Sequence, residues 1–138
     1  YSKNMDTHGS LSFLKKEMQN EYTSMKVKTT TLDEIFNDLN WEKIDLLKLD
    51  LEGLDHNALL GARNALEEGR ISVIQFEVTR NWELSGSSPC ATFRYLTQNG
   101  FRLFLITEKG LHALREPMNI PHFSIYSNFC AIHESVSH

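Results

Sequence analysis

Apolar and polar positions alternate with a period of two along much of this chain, and the densest such run is Ile44 to Gly53. Leu47, Leu49 and Leu51 share one strand face, while Ile44, Leu46, Lys48, Asp50 and Glu52 share the other. Past Asp45 at its start the first face is apolar, and the second turns charged only toward its carboxyl end. That gradient predicts a buried strand ending in a site, because open α/β sheets bind ligands beyond the carboxyl ends of their strands. Residues 71 to 78 repeat the gradient, with Ile71 and Val73 on the same face as Gln75 and Glu77.

Between these two strands the period becomes helical. Ala58, Leu59, Ala62, Ala65 and Leu66 form a narrow apolar stripe, with Asp55 placed to cap its start and Gly69 to stop it. Strand, helix and strand make a βαβ unit, whose strands pair in parallel. Upstream, residues 25 to 30 predict a short strand or extended lead-in. Thr31-Leu32-Asp33-Glu34 then fits a capping box, and Leu32, Ile35, Phe36 and Leu39 give the stripe of a short helix ending near Asn40.

Downstream, Asn81 to Ser88 has the composition of a loop. Ser88-Pro89 starts a helix that turns Phe93 and Leu96 inward and stops at Asn99-Gly100. Phe101 to Thr107 is a third strand. A turn at Glu108-Lys109-Gly110, a short segment Leu111 to Leu114 and a stretch between Pro117 and Pro121 lead to a last strand, Asn128 to His133. No helix of useful length separates the third strand from the last, which predicts an antiparallel final strand. Residues 1 to 24 are polar apart from Leu11, Phe13, Leu14 and Met18. They are expected as a poorly defined N-terminal segment, with a turn or helix start at His8-Gly9-Ser10 and a solvated face at Lys15-Lys16.

At 138 residues the chain has length for one core and one domain. A net charge of −4 argues against a broad nucleic-acid or anionic-membrane surface, which needs clustered Lys and Arg. Cys90 and Cys130 lie far apart without Cys-x-x-Cys spacing or a surrounding His cluster, so they are expected as reduced, packed thiols and no metal site is expected. With no run of 18 apolar residues, the expected location is cytoplasmic.

If the two graded strands are adjacent and parallel, their ends lie about 4.8 Å apart, and Asp50, Glu52 and Glu77 border one crevice. Carboxylates so placed take a proton from a hydroxyl, hold a cation or anchor substrate hydroxyls. The competing expectation is that Lys48, Arg63 and Arg80 neutralise them in structural ion pairs. Trp41 and Trp82 flank the strands as pocket lining or rim packing. The six histidines are scattered, mostly as surface or loop residues, and no Gly-x-Ser-x-Gly elbow, His-Glu-x-x-His, Gly-x-Gly-x-x-Gly or Walker A loop occurs.

Thr30-Thr31-Leu32-Asp33-Glu34-Ile35, Ile44 to Gly53, Leu59-Leu60-Gly61-Ala62 and Val73-Ile74-Gln75-Phe76-Glu77 together resemble, in order and spacing, the FkbM-type methyltransferase family. The resemblance spans about residues 25 to 133. It implies a partial Rossmann-like α/β sheet of mostly parallel strands with a C-terminal antiparallel strand, helices packed on the sheet. It also implies methyl transfer from S-adenosylmethionine to a hydroxyl of a sugar or small natural product. On the matching positions, Asp50, Glu52 and Glu77 carry catalysis, and Asp50 and Gly53 contact the cofactor.

The family carries a glycine-rich turn upstream of this region, so residues 25–138 are expected to be the C-terminal part of such a domain. The partners implied are a small-molecule or glycan hydroxyl acceptor and a second copy, meeting through an exposed sheet edge. The alternative is a non-catalytic α/β interaction or oligomerisation module lacking the cofactor-binding half. A metal-dependent hydrolase ranks last, since no His or further Asp motif supports it.

Overall fold

The computed structural model describes residues 26–79, 81–114 and 126–136. The expected N-terminal stripe at Leu11 to Met18, the turn at His8, the Lys15-Lys16 face, Arg80 and the stretch from Pro117 to Pro121 all lie outside the described residues. The expected strand or extended lead-in at 25 to 30 is exposed, non-helical chain from 26 onward.

Helix α1 (Leu32–Asp38) is entered through the capping box its sequence announces. The Glu34 amide donates to Thr31 Oγ1 at 3.1 Å, and the Thr31 amide donates to the Glu34 carboxylate at 3.1 Å. Phe36 is buried, whereas Leu39 at the end of the stripe stays exposed. Strand β1 (Ile44–Lys48) follows.

The single helix expected next is two short ones, α2 (Asp55–Leu60) and α3 (Arg63–Glu67), broken at Gly61-Ala62. The break has a partner. Asp33 of α1 accepts hydrogen bonds from the amides of Asn64 and Ala65, each at 3.0 Å, and so caps α3 from 31 residues away. Gly69, at φ +65°, ends α3 as expected.

Strand β2 (Ile71–Thr79) runs parallel to β1 with Leu46 opposite Val73 and Lys48 opposite Gln75, which completes the expected βαβ unit. Residues 81 to 84, expected as loop, form a short helix α4 (Asn81–Leu84). Helix α5 (Pro89–Gln98) starts at the Ser88 cap with Pro89 in its first turn, and it buries Phe93 and Leu96. Strand β3 (Phe101–Thr107) forms a hairpin with β4 (Gly110–Ala113), and β5 (Tyr126–His133) closes the sheet.

The sheet order is β1-β2-β5-β3-β4. The final long strand is antiparallel to both neighbours, as expected, because it inserts between β2 and β3. That insertion corrects the expectation of mostly parallel strands: the sheet is mixed, and β1–β2 is its one parallel pair among the described residues.

The core lies on one face of this sheet. Ile74 and Phe76 of β2 stand beside Ala131 and Phe129 of β5, and the Phe76 and Phe129 rings stack at 5.7 Å. Phe93 of α5 closes on Phe129 at 5.0 Å. Each such fully buried ring contributes about 2–3 kcal/mol of transfer free energy.

The other face, with Val73, Gln75 and Glu77, is only half-buried. Strand β1 also departs from the expected buried strand. Among the described residues it pairs with β2 alone, and Leu46 is 57 % exposed at its centre. An edge strand has neighbours on one side only, so apolar alternation there does not guarantee burial.

Candidate active site

Parallel pairing brings the polar ends of β1 and β2 to one place. The register that sets Lys48 opposite Gln75 continues one residue further, where the Leu49 amide donates to the Gln75 carbonyl at 2.8 Å. Extending it sets Asp50 level with Glu77 on the half-buried face. Beyond the strand, Asp50, Glu52, Gly53 and Asp55 close in on Glu77 and Thr79, leaving no room between them for a water-sized group. Asp50, Glu52 and Glu77 therefore come together at the strand ends, but as close packing and not as the open crevice expected.

The loop from β1 to α2 is held in an unusual shape. Glu52, a residue with a side chain, lies at φ +52°, and Gly53 follows at φ +98°. A Cβ at Gly53 would stand 2.6 Å from the Asn81 carbonyl oxygen, so only glycine fits beneath α4. The packing of the chain itself accounts for this glycine.

Helix α4 clamps the loop from above. Asn81 Nδ2 donates to the Glu52 carboxylate at 2.7 Å, and Ser85 Oγ donates to the Gly53 carbonyl at 2.7 Å. Fully buried Trp82 anchors the clamp, its indole N–H donating to the Glu77 carbonyl at 2.8 Å. Of the two tryptophans, Trp82 ties α4 to β2 beside the site, whereas Trp41 is 44 % exposed at the opposite end of β1.

Asp55 occupies the first position of α2 and makes no capping bond; the cap position is Leu54. Its side chain is completely buried, and neither carboxylate oxygen has a hydrogen-bond partner. Burial pushes its pKa up from 3.8. The amides of Asp55, Gly53 and Leu51 face it and pull the other way without closing into bonds, and the Asp50 charge raises it further. An aspartate before a helical stripe reads as a cap, so the sequence concealed this residue. Its burial comes from the tertiary fold alone.

The expected neutralising pairs are mostly elsewhere. Lys48 Nζ stands 3.5 Å from Asp50, but both side chains are more than half exposed, so the pair contributes little. Arg63 pairs with Glu67 at 2.8 Å. Among the described residues, no three of His, Cys, Asp and Glu converge as a metal's ligands do.

His56, next to Asp55, points away toward α5, where its Nδ1 lies 2.9 Å from Thr92 Oγ1. The Thr92 hydroxyl donates to the Ser88 carbonyl at 3.2 Å, so it is left to accept from Nδ1–H, and burial lowers the imidazole's pKa. His133 is likewise engaged, bonding Ser135 at 2.8 Å and meeting the Phe101 ring edge-on. A wider, open depression at the other end of β1 is lined by Phe36, Trp41 and Arg70. Its arginine is bonded to the carbonyls of Glu42 and Trp41 and lies over the Phe36 ring. That end carries structural bonds.

A family model for the methyltransferase FkbM domain matches residues 1–103, a span that contains every residue of the acidic cluster. No curated protein and no solved structure matches the chain. No helix among the described residues is long and apolar enough to cross a membrane.

Proposed function

The chain belongs to the FkbM methyltransferase family, and on that premise we propose that it serves S-adenosylmethionine-dependent methylation of a hydroxyl on a sugar or small natural product, on a partial Rossmann-like sheet. The observation that carries this is the gathering of Asp50, Glu52 and Glu77 at the carboxyl ends of the parallel pair, where α/β sheets hold ligands.

The donor set fits such a ligand, since carboxylates accept from ribose and acceptor hydroxyls alike. The space between these residues admits no water-sized group in this structure, against the roughly 300–1,000 Å³ of whole small-molecule sites. These residues therefore hold one polar end of the assembly.

The bound cofactor supplies an activated methyl group. This chain's residues supply the acidic side. Asp50, the exposed member, takes the proton of the acceptor hydroxyl. Glu52, fixed by Asn81, accepts a second hydroxyl and sets its direction, and Glu77 stands beside it from β2. Calorimetric titration with S-adenosylmethionine tests the assignment, with saturable binding expected. Asp50→Asn should lower turnover roughly 10²-fold or more while leaving the melting temperature unchanged. An equally active variant removes Asp50 from the chemistry.

One observation favours a second reading, a module that pairs with another copy. Leu46 is exposed at the centre of a strand that is at the sheet edge among the described residues, and such edges recruit strands from other chains. Sedimentation velocity on the native chain and on Leu46→Lys decides it: a dimer lost in the variant supports pairing through β1, and a monomer in both refutes it.

A further inference from the structure

The helices bury one face of the sheet, where Leu59, Leu66, Phe93 and Leu96 join Ile74, Phe76 and Phe129 in a single core cluster. Apart from Ile44 and Ile71 at the strand starts, the apolar residues of the opposite face stand outside that cluster. Among the described residues that face is uncovered. Leu46 at one end of it is 57 % exposed and Leu111 at the other is 50 % exposed. An apolar sheet face left open in this way marks a contact surface.

Strand pairing fixes the plan of the open face. Leu46, Val73, Ile132 and Arg102 form one row across the strands, and Gln75, Cys130 and Phe104 form the next. Glu77 and Asn128 begin the third row. Carrying the β3–β5 register one residue past Leu105 and Phe129 sets Ile106 beside Asn128, and Leu111 is opposite Ile106.

With strands about 4.8 Å apart and rows about 6.8 Å apart, Leu46, Cys130 and Leu111 fall on one diagonal, with Cys130 at its middle. Glu77 and Arg102 fall on the other, each about 8 Å from Cys130, and the two diagonals meet at roughly a right angle. Arg102 lies over the Phe104 ring, 5.9 Å from its centroid, which holds its charge on this face.

Half a turn about the Leu46–Leu111 diagonal brings a second copy face to face with the first. It returns Leu46, Cys130 and Leu111 onto their own counterparts and sets each Glu77 against the partner's Arg102. An isologous interface requires this self-complementarity of shape and charge. The strands of the two copies then cross at about 70°, nearer the orthogonal than the aligned class of sheet packing.

We propose that two copies of this chain pack through their open sheet faces about a two-fold axis along Leu46, Cys130 and Leu111, joined by two reciprocal Glu77–Arg102 ion pairs. The interface is distinct from edge-to-edge pairing at β1, and it stands independently of methyl transfer. It brings the partner's Arg102 to the acidic strand ends, whose own described lining holds no basic side chain. The three rows span roughly 400 Å² on each copy, below the 800 Å² or so of a standard interface, so the dimer is weak and concentration-dependent.

Sedimentation velocity of the full chain, from micromolar to near-millimolar concentration and without added cofactor, tests this. A concentration-dependent dimer is expected. Arg102→Glu and Glu77→Arg should each weaken it about tenfold or more, since each creates two like-charge pairs, and the double variant should restore it. Leu111→Lys should also weaken it, while leaving edge pairing at β1, on the other side of the sheet, intact. Should a charge variant fail to fold, as far-UV circular dichroism would show, Leu111→Lys decides.

A monomer at every concentration overturns the proposal, whether the chain's own residues or a different protein cover the face. A dimer unmoved by Leu111→Lys and by both reversals overturns it in favour of pairing elsewhere. Weakening by both reversals without recovery in the double variant overturns the Glu77–Arg102 pairing and the two-fold axis with it.

Discussion

Replacing Asp55 with asparagine separates a carboxyl kept for function from one kept for structure. The native side chain is fully buried, and neither oxygen is hydrogen-bonded. Its folded pKa lies above the value of 3.8 that it has when exposed. An acid raised on folding binds more protons in the native state than in the unfolded one, so stability falls as pH climbs from 3.8 through the folded pKa. Above that window the full penalty is present, and below 3.8 it vanishes.

Asparagine has the same shape and no charge to desolvate. Leaving a buried polar or charged group unsatisfied costs about 1–3 kcal/mol, so Asp55→Asn should be more stable than the native chain by about that amount at pH 8. At pH 3.5 the two should be nearly equal. For a domain of this size the gain corresponds to roughly 3–5 °C per kcal/mol in melting temperature. Thermal or urea denaturation of both proteins across this range reads the difference, in which the other carboxylates cancel. A variant destabilised by the same amount at every pH would show that Asp55 is a satisfied structural anchor.

Gly53→Ala places a methyl group 2.6 Å from the Asn81 carbonyl oxygen at a positive φ, and should cost about 2–3 kcal/mol in urea denaturation. Asn81→Ala removes the bond to Glu52 and should cost only about 0.5–1.5 kcal/mol, yet it frees the loop; faster amide exchange at Glu52 and Gly53 checks this. Asp33→Ala uncaps α3 at both the Asn64 and Ala65 amides and should cost about 1–2 kcal/mol, with no change in ligand binding at the strand ends.

What the sequence disclosed and what it hid follow from the range of the forces involved. The Thr31 capping box, the Ser88-Pro89 helix start, the Asn99-Gly100 stop and the span of β3 are local, and each stands where its residues put it. The meeting of Asp50, Glu52 and Glu77 needed only parallel pairing of two strands with the same polarity gradient.

The misreadings all involve distant partners. Asp55 looks like a cap until the fold buries it, and the Gly61 break makes sense only once Asp33 reaches α3. Helix α4 has polar, loop-like sequence and is fixed by its own buried Trp82 and by its grip on the Gly53 loop. Leu46 alternates as a buried strand residue does, but strand order leaves it at an edge. The same order, with β5 inserted between β2 and β3, is what makes the sheet mixed.

Ligands of this methyltransferase-family chain are proposed to meet it at the carboxyl ends of β1 and β2. Titrating the carboxyl-labelled protein with S-adenosylmethionine addresses this directly. Saturable shifts are expected at Asp50, Glu52 and Glu77, with Glu42 and Glu68 at the opposite strand ends unmoved. Shifts confined to Glu42 and Glu68, or none at any carboxyl, would contradict that placement.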